Sequence, residues 1–168
     1  MTDVMTPEQR HRCMSHIRGK NTKPEMIVRK YLFAQGFRYR LHVKALPGTP
    51  DIVLPKYRTV IFVNGCFWHG HEGCKYYCLP HTNTDFWKAK IERNIERDKQ
   101  ERLELRDMGW HVIQLWECML KPKERENSLK GVVHSLHQIM LINYGAKGYG
   151  FEEEDGKGLM VAEEKGGY

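Results

Sequence analysis

The segment that most constrains the fold is GCFWHGHEGCKYYCLPHTN, residues 65–83, which follows directly on an apolar run, TVIFVN. Structureless loops longer than about 12–15 residues are uncommon in compact domains, so a segment of this length needs an anchor or a function. Its composition supplies the anchor. Cys66, Cys74, Cys78, His69, His71 and His81 all fall within it, and Cys13 and Cys118 bring the cysteines to five. An odd count, behind a start (MTDVMTPEQR) with neither apolar signal core nor basic leader, argues against a disulfide framework. In a reducing compartment the same residues read as metal ligands. Cys66, His71, Cys74 and Cys118 can supply the three thiolates and one imidazole of a tetrahedral zinc. A local set with Cys78 in place of Cys118 satisfies the same chemistry, and spacing alone does not separate His69 from His71.

The flanking sequence predicts an α/β layer fold. Pro7 opens a short helix expected to run to about Ile17. Thr22 and Glu25 have capping-box spacing, and Ile27, Tyr31 and Ala34 line a second helix closed by Gly36. Phe37, Tyr39, Leu41 and Val43 alternate as in a half-buried strand. DIVL and TVIFVNG follow as strands joined through PKYR, and WHVIQLWE reads as a fourth strand. Between them a long helix is expected, with Thr84 as N-cap and Gly109 as stop. Leu129, Val132, Val133, Leu136, Ile139 and Met140 mark a last amphipathic helix. One domain is expected over residues 1–144, followed by a loose Gly/Glu-rich tail over 145–168.

Charge points to a polyanionic partner. The chain carries +6, and residues 145–168 hold three lysines against six carboxylates, a net −3, which leaves +9 on the first 144 residues. Lys and Arg that replace counterions on phosphates gain affinity in this way. No apolar run approaches the roughly 18 residues of a membrane span, so a cytoplasmic, nucleoid-associated protein is expected.

Several side chains have the right chemistry for phosphodiester hydrolysis. The hairpin through PKYR brings Asp51, at the entry of its strand, beside Val63 and Asn64. One carboxylate and a backbone carbonyl, with waters and phosphate oxygens, is a common way to hold Mg²⁺. His69 is a base able to take a proton from water near neutral pH. Asp98 shares a helical stripe with Trp87, Ile91, Asn94 and Ile95, where a carboxylate needs a partner; an imidazolium at 69 and plain solvent serve equally. Glu25 is fully explained by its capping role. Phe67 and Trp68 stand between Cys66 and His69, where bulky exposed aromatics are unexpected, and Trp87 opens the next helix. Aromatics beside a basic surface can wedge between base pairs, and a mismatch lowers the cost of opening them. Lys88, Lys90, Arg93 and Arg97 would then meet phosphates.

The strings PGTPDIV, VIFVNGCFWHGH, TDFW, NIERD, GW and WEC, in this order over roughly residues 8–120, resemble the very-short-patch repair (Vsr) endonucleases. The resemblance implies a restriction-endonuclease-like core, a central mixed sheet flanked by helices, with a structural zinc on Cys66, His71, Cys74 and Cys118. It implies magnesium-dependent nicking of duplex DNA 5′ to the thymine of a T:G mismatch, leaving a 5′ phosphate, by a monomer that works alongside mismatch-repair proteins. By motif position Asp51 and the Val63 carbonyl would hold magnesium, His69 would be the base, Asp98 its partner, and Glu25 would assist metal-bound waters. Phe67, Trp68 and Trp87 would intercalate, Lys90 and Asn94 would touch the mismatched pair, and a helix within residues 1–20 would contact DNA. The chain departs from the family where Asn64 replaces a typical histidine, removing a proton carrier, and where Val63 replaces a common threonine. Its loop before TDFW is also one residue longer, with the extra Cys78. The restriction-type Glu-x-Lys pair is absent, as it is in the family.

Overall fold

The computed structural model describes residues 6–16 and 19–145. The remaining positions, including 146–168 of the expected tail, lie outside the described residues. Four helices, α1 (Pro7–Ser15), α2 (Lys23–Ala34), α3 (Thr84–Asp107) and α4 (Arg125–Gly145), accompany four strands. The strands are β1 (Arg40–Leu41), β2 (Ile52–Leu54), β3 (Thr59–Asn64) and β4 (His111–Trp116), in the order β1-β2-β3-β4. The first two pairings are antiparallel; β3 and β4 run parallel, with Asn64 opposite Trp116. Parallel neighbours need a long crossover, and residues 65–83 with α3 provide it.

Side chains that alternate along the strands separate two apolar layers. Ile52, Leu54, Ile61 and Leu115 meet Val28 and Leu32 of α2 and Leu129, Val132 and Leu136 of α4. Val53 and Val60 face the other way and meet Leu105 of α3. The sheet is therefore covered by α2 and α4 on one face and α3 on the other.

Local signals set most boundaries. Thr22 and Glu25 complete the expected capping box, and Gly36, after the C-cap of α2, adopts φ +86°. PKYR folds into a 3₁₀ turn (Pro55–Tyr57) with Arg58 left-handed. Three details differ from the expectation. Helix α1 ends at Ser15, two residues early. The N-cap of α3 is Asn83, in a left-handed conformation, while the Thr84 hydroxyl donates to Pro80 O and His81 O. The alternating segment 37–43 contributes only two strand residues; on its C-terminal side His42 turns left-handed with φ +46° and ends the pairing.

Candidate active site

The C-terminal ends of the parallel strands organise the site. Cys66 lies two residues beyond the end of β3 and Cys118 two beyond the end of β4, so the register places them side by side. Between them the chain folds through short turns: His69 N–H donates to Gly65 O (3.2 Å) and His71 N–H to Cys66 O (2.9 Å). Gly70, at φ +60°, has no room for a Cβ, which would stand 2.5 Å from Ile95 Cδ1; here the loop backbone rides directly on α3. One ligand atom from each of Cys66, His71, Cys74 and Cys118 lies within 4.8 Å of the others. A tetrahedral zinc with bonds of roughly 2.3 Å needs edges of about 3.8 Å, so a small contraction completes the cage. Burial pushes the Cys66 thiol up to about 12 and the Cys118 thiol up as well, while the backbone N–H of Tyr76 lowers Cys74. Thiols of this kind lose their protons to solvent when a cation binds them. The His71 ring stacks flat on Trp116, centroids 4.0 Å apart, which fixes its plane. Cys78 is exposed and lies outside this group.

Beside this cage opens a cleft of about 910 Å³, lined by Glu25, Asp51, Asn64, Trp68, His69 and Asp98 among others. Asp51 enters it from the turn 46–50, whose Gly48 and Thr49 are both left-handed. Its Oδ2 accepts the Val63 N–H at 2.8 Å, the hairpin contact expected from the sequence. Burial raises the Asp51 carboxyl above the ordinary range; the Val63 hydrogen bond offsets part of this, Glu25 adds to it, and His42 and Arg29 oppose it. His69 Nδ1 lies 2.5 Å from Asp98 Oδ2. An ionised carboxylate only accepts, so Nδ1 carries a proton, and in the neutral ring Nε2 presents its lone pair. Solvent, the other partner open to Asp98, is excluded to 12% side-chain exposure. Asn64 is buried at the end of β3 and lines the cleft.

Glu25 does two things at once. It caps α2, and it extends into the cleft with Arg29 Nη2 at 2.5 Å and His42 Nε2 at 3.7 Å. Glu25, His42 and Asp51 form a second cluster, among the described residues, able to surround a cation. Sequence reasoning missed His42, which reads there as one more polar residue of an alternating strand. It missed Glu101 too, one turn beyond Asp98; burial raises its carboxyl, and it packs where a Cβ on Gly48 would stand 2.6 Å from its Oε2.

Phe67, Trp68 and Trp87 are half-buried against one another, ring centroids 5.2–5.9 Å apart and edge-on. Lys90 Nζ stands 5.6 Å from the centroid of Trp68 and 5.5 Å from that of Trp87. The Asn94 amide donates to Trp68 O at 2.9 Å and pins the loop to α3. Lys88, by helical phase, sits across α3 from Arg97, which lines the cleft.

Residues 2–76 match the family described as DNA mismatch endonuclease Vsr. The chain is 52% identical over 133 residues to the type II nicking enzyme V.NmeAIP of Neisseria meningitidis, covering 77% of this chain and 94% of that protein. It is 51% identical over 120 residues to the type II nicking enzyme V.XorIIP of Xanthomonas oryzae, covering 71% and 88%. It is 40% identical over 125 residues to the DNA mismatch endonuclease Vsr of Escherichia coli, covering 74% and 80%. No described helix is long and apolar enough to cross a membrane.

Proposed function

This chain belongs to the Vsr family of DNA endonucleases, and on that premise we propose that it nicks one strand of duplex DNA 5′ to the thymine of a T:G mismatch, in a magnesium-dependent hydrolysis. The observation that carries the reading is the convergence on one cleft of the Asp51 carboxylate, the His69–Asp98 pair and Trp68. The core is of the restriction-endonuclease-like type, with the zinc of Cys66, His71, Cys74 and Cys118 as a structural staple for the aromatic loop.

Asp51, with the Val63 carbonyl, would hold the magnesium, and Glu25 would accept hydrogen bonds from water around it. A divalent cation there supplies charge neutralisation to the phosphate and the departing oxygen. His69 Nε2 takes a proton from the attacking water, and Asp98 holds the ring in that tautomer and balances the imidazolium that forms. The new P–O bond leaves a 5′ phosphate, and the departing 3′ oxygen takes a proton from solvent water to leave a 3′ hydroxyl. Asn64 offers its amide to a phosphate oxygen and carries no proton. Phe67, Trp68 and Trp87 wedge into the stack at the mismatch, where opening costs least. Lys90 and Asn94 stand on the rim of this aromatic cluster, beside the mismatched pair. Helix α1 lies along the bound duplex.

The type II nicking relatives favour one second reading, a nickase directed by a fully paired sequence. Duplexes with a single T:G pair in randomised flanks, set against the same duplexes with T:A, separate the two. We expect a nick in the thymine strand of the mismatched duplex only, and a loss of about 10²–10⁴-fold in His69→Ala. Equal cutting of paired DNA would establish the second reading, and cutting of neither duplex would remove both.

A further inference from the structure

His42 has no part in the mechanism above, yet its surroundings are unusually specific. It leaves β1 with φ +46°, a left-handed conformation that a side chain bearing a Cβ adopts at a cost. Non-glycine residues persist there when the surroundings over-determine them, often at functional sites. The determinants are visible. The Tyr39 hydroxyl donates to Arg29 O at 3.0 Å and ties the segment before β1 to α2. Arg29 Nη2 lies 2.9 Å from His42 Nε2, and Arg29 Nη1 donates to Asn21 Oδ1 at 2.6 Å. Glu25 Oε2 receives both Arg29 Nη2 and the Asn21 N–H. A guanidinium has donors only, so His42 Nε2 accepts and the ring proton resides on Nδ1. That Nδ1 lies 3.9 Å from Asp51 Oδ1, while Asp51 Oδ2 is taken by Val63 N–H.

We propose that His42 is a positioning residue for Asp51: braced by Arg29 and Glu25, it keeps its Nδ1 side 3.9 Å from Asp51 Oδ1, an electrostatic contact longer than a hydrogen bond, and so favours the carboxylate orientation that receives a hard cation. The inference rests on the reading of Asp51 as the cation ligand. The arrangement also separates the roles of the two acids. Glu25 spends its charge on Arg29, so Asp51 is left to face the cation. Partners that orient a ligating group typically set its metal affinity within about 10–100-fold.

The test is terbium(III) binding to the full chain, read by sensitised luminescence, because Trp68 lines the same cleft. Asp51→Asn defines the signal that belongs to this site. His42→Gly removes the ring without straining the backbone, since glycine accepts the left-handed conformation. His42→Asn keeps the backbone and places an amide N–H where Nδ1–H stood, and asparagine also tolerates this conformation. We expect terbium affinity to fall by about tenfold or more in His42→Gly and to return largely in His42→Asn, with unchanged thermal melting in the latter. Wild-type affinity in His42→Gly, an equal loss in both variants, or a wild-type signal indifferent to Asp51→Asn would overturn the proposal. A wild-type chain that binds terbium through Asp51 and nicks no T:G duplex would sink the proposed function and leave this inference standing.

Discussion

A carboxylate built into a protein to receive a cation costs stability until the cation arrives, and under the proposed function Asp51 would be such a group. Burial raises its folded-state value above the ordinary 3.8 of an unfolded aspartate. Below that ordinary value the group is protonated in both states and its contribution is fully favourable. As pH rises through the raised folded value, the buried group ionises and the contribution is lost. Asp51→Asn removes the charge, and its Oδ1 can still accept the Val63 N–H now made to Oδ2. In magnesium-free buffer at pH 7 the variant should therefore melt above the wild type. The gap should close as the solution is acidified toward pH 3.8, and added magnesium should raise the melting temperature of the wild type only. Differential scanning calorimetry across pH checks this; a variant that melts lower at every pH would mean that Asp51 contributes more as a structural hydrogen-bond acceptor than it costs as a buried charge.

At the scale of elements, the loop 65–83 and the turn at Cys118 form one unit only if something joins them. The Cys66 thiol, at about 12, stays protonated in the metal-free chain, so occupancy of the cage displaces protons and should weaken steeply with acid. Stripping the metal with a strong chelator should open residues 65–83 to protease while α4 and the sheet stay protected. If the cage holds zinc, plasma spectrometry should find one per wild-type chain, none in Cys118→Ser and one in Cys78→Ser; the opposite result would move the fourth ligand to Cys78. Much of this unit is legible in the sequence, because thiols and imidazoles crowded into an over-long loop form the ligand set of a soft, tetrahedral cation. The choice of Cys118 is not, since it depends on the β3–β4 parallel register, a tertiary fact. The capping box of α2 and the strand at 59–64 are likewise local and readable. His42 is not readable: alternation in residues 37–43 predicts a strand, and the brace of Arg29 and Glu25, 13 and 17 residues upstream, overrides it at its C-terminal end. Asp98 is half-legible. Its helical stripe is clear, but its partner comes from a loop 29 residues upstream.

For the molecule as a whole, affinity and specificity come from different places. Under the proposed function the aromatic cluster and the cleft would read a weakened base pair, whereas basic side chains beside them would meet a backbone that is the same everywhere. Arg93 is exposed on α3, and Lys90 and Arg97 share its side of the helix by phase, next to the cleft. Each phosphate neutralised releases counterions and adds about −0.9 to the slope of log affinity against log salt. Three such contacts from α3 give a slope of about −2.7, and further contacts from the rest of the +9 charge steepen it. Arg93→Ala should reduce the slope by about 0.9 on mismatched and paired duplexes alike, since it removes a contact that carries no sequence information. Trp68→Ala should do the reverse: it should leave the slope unchanged and narrow the difference in affinity between the two duplexes. Fluorescence-anisotropy titrations at several salt concentrations separate these outcomes. If Arg93→Ala lowered affinity for mismatched DNA alone, α3 would be reading the lesion, and the division of labour between helix and aromatic loop would be wrong.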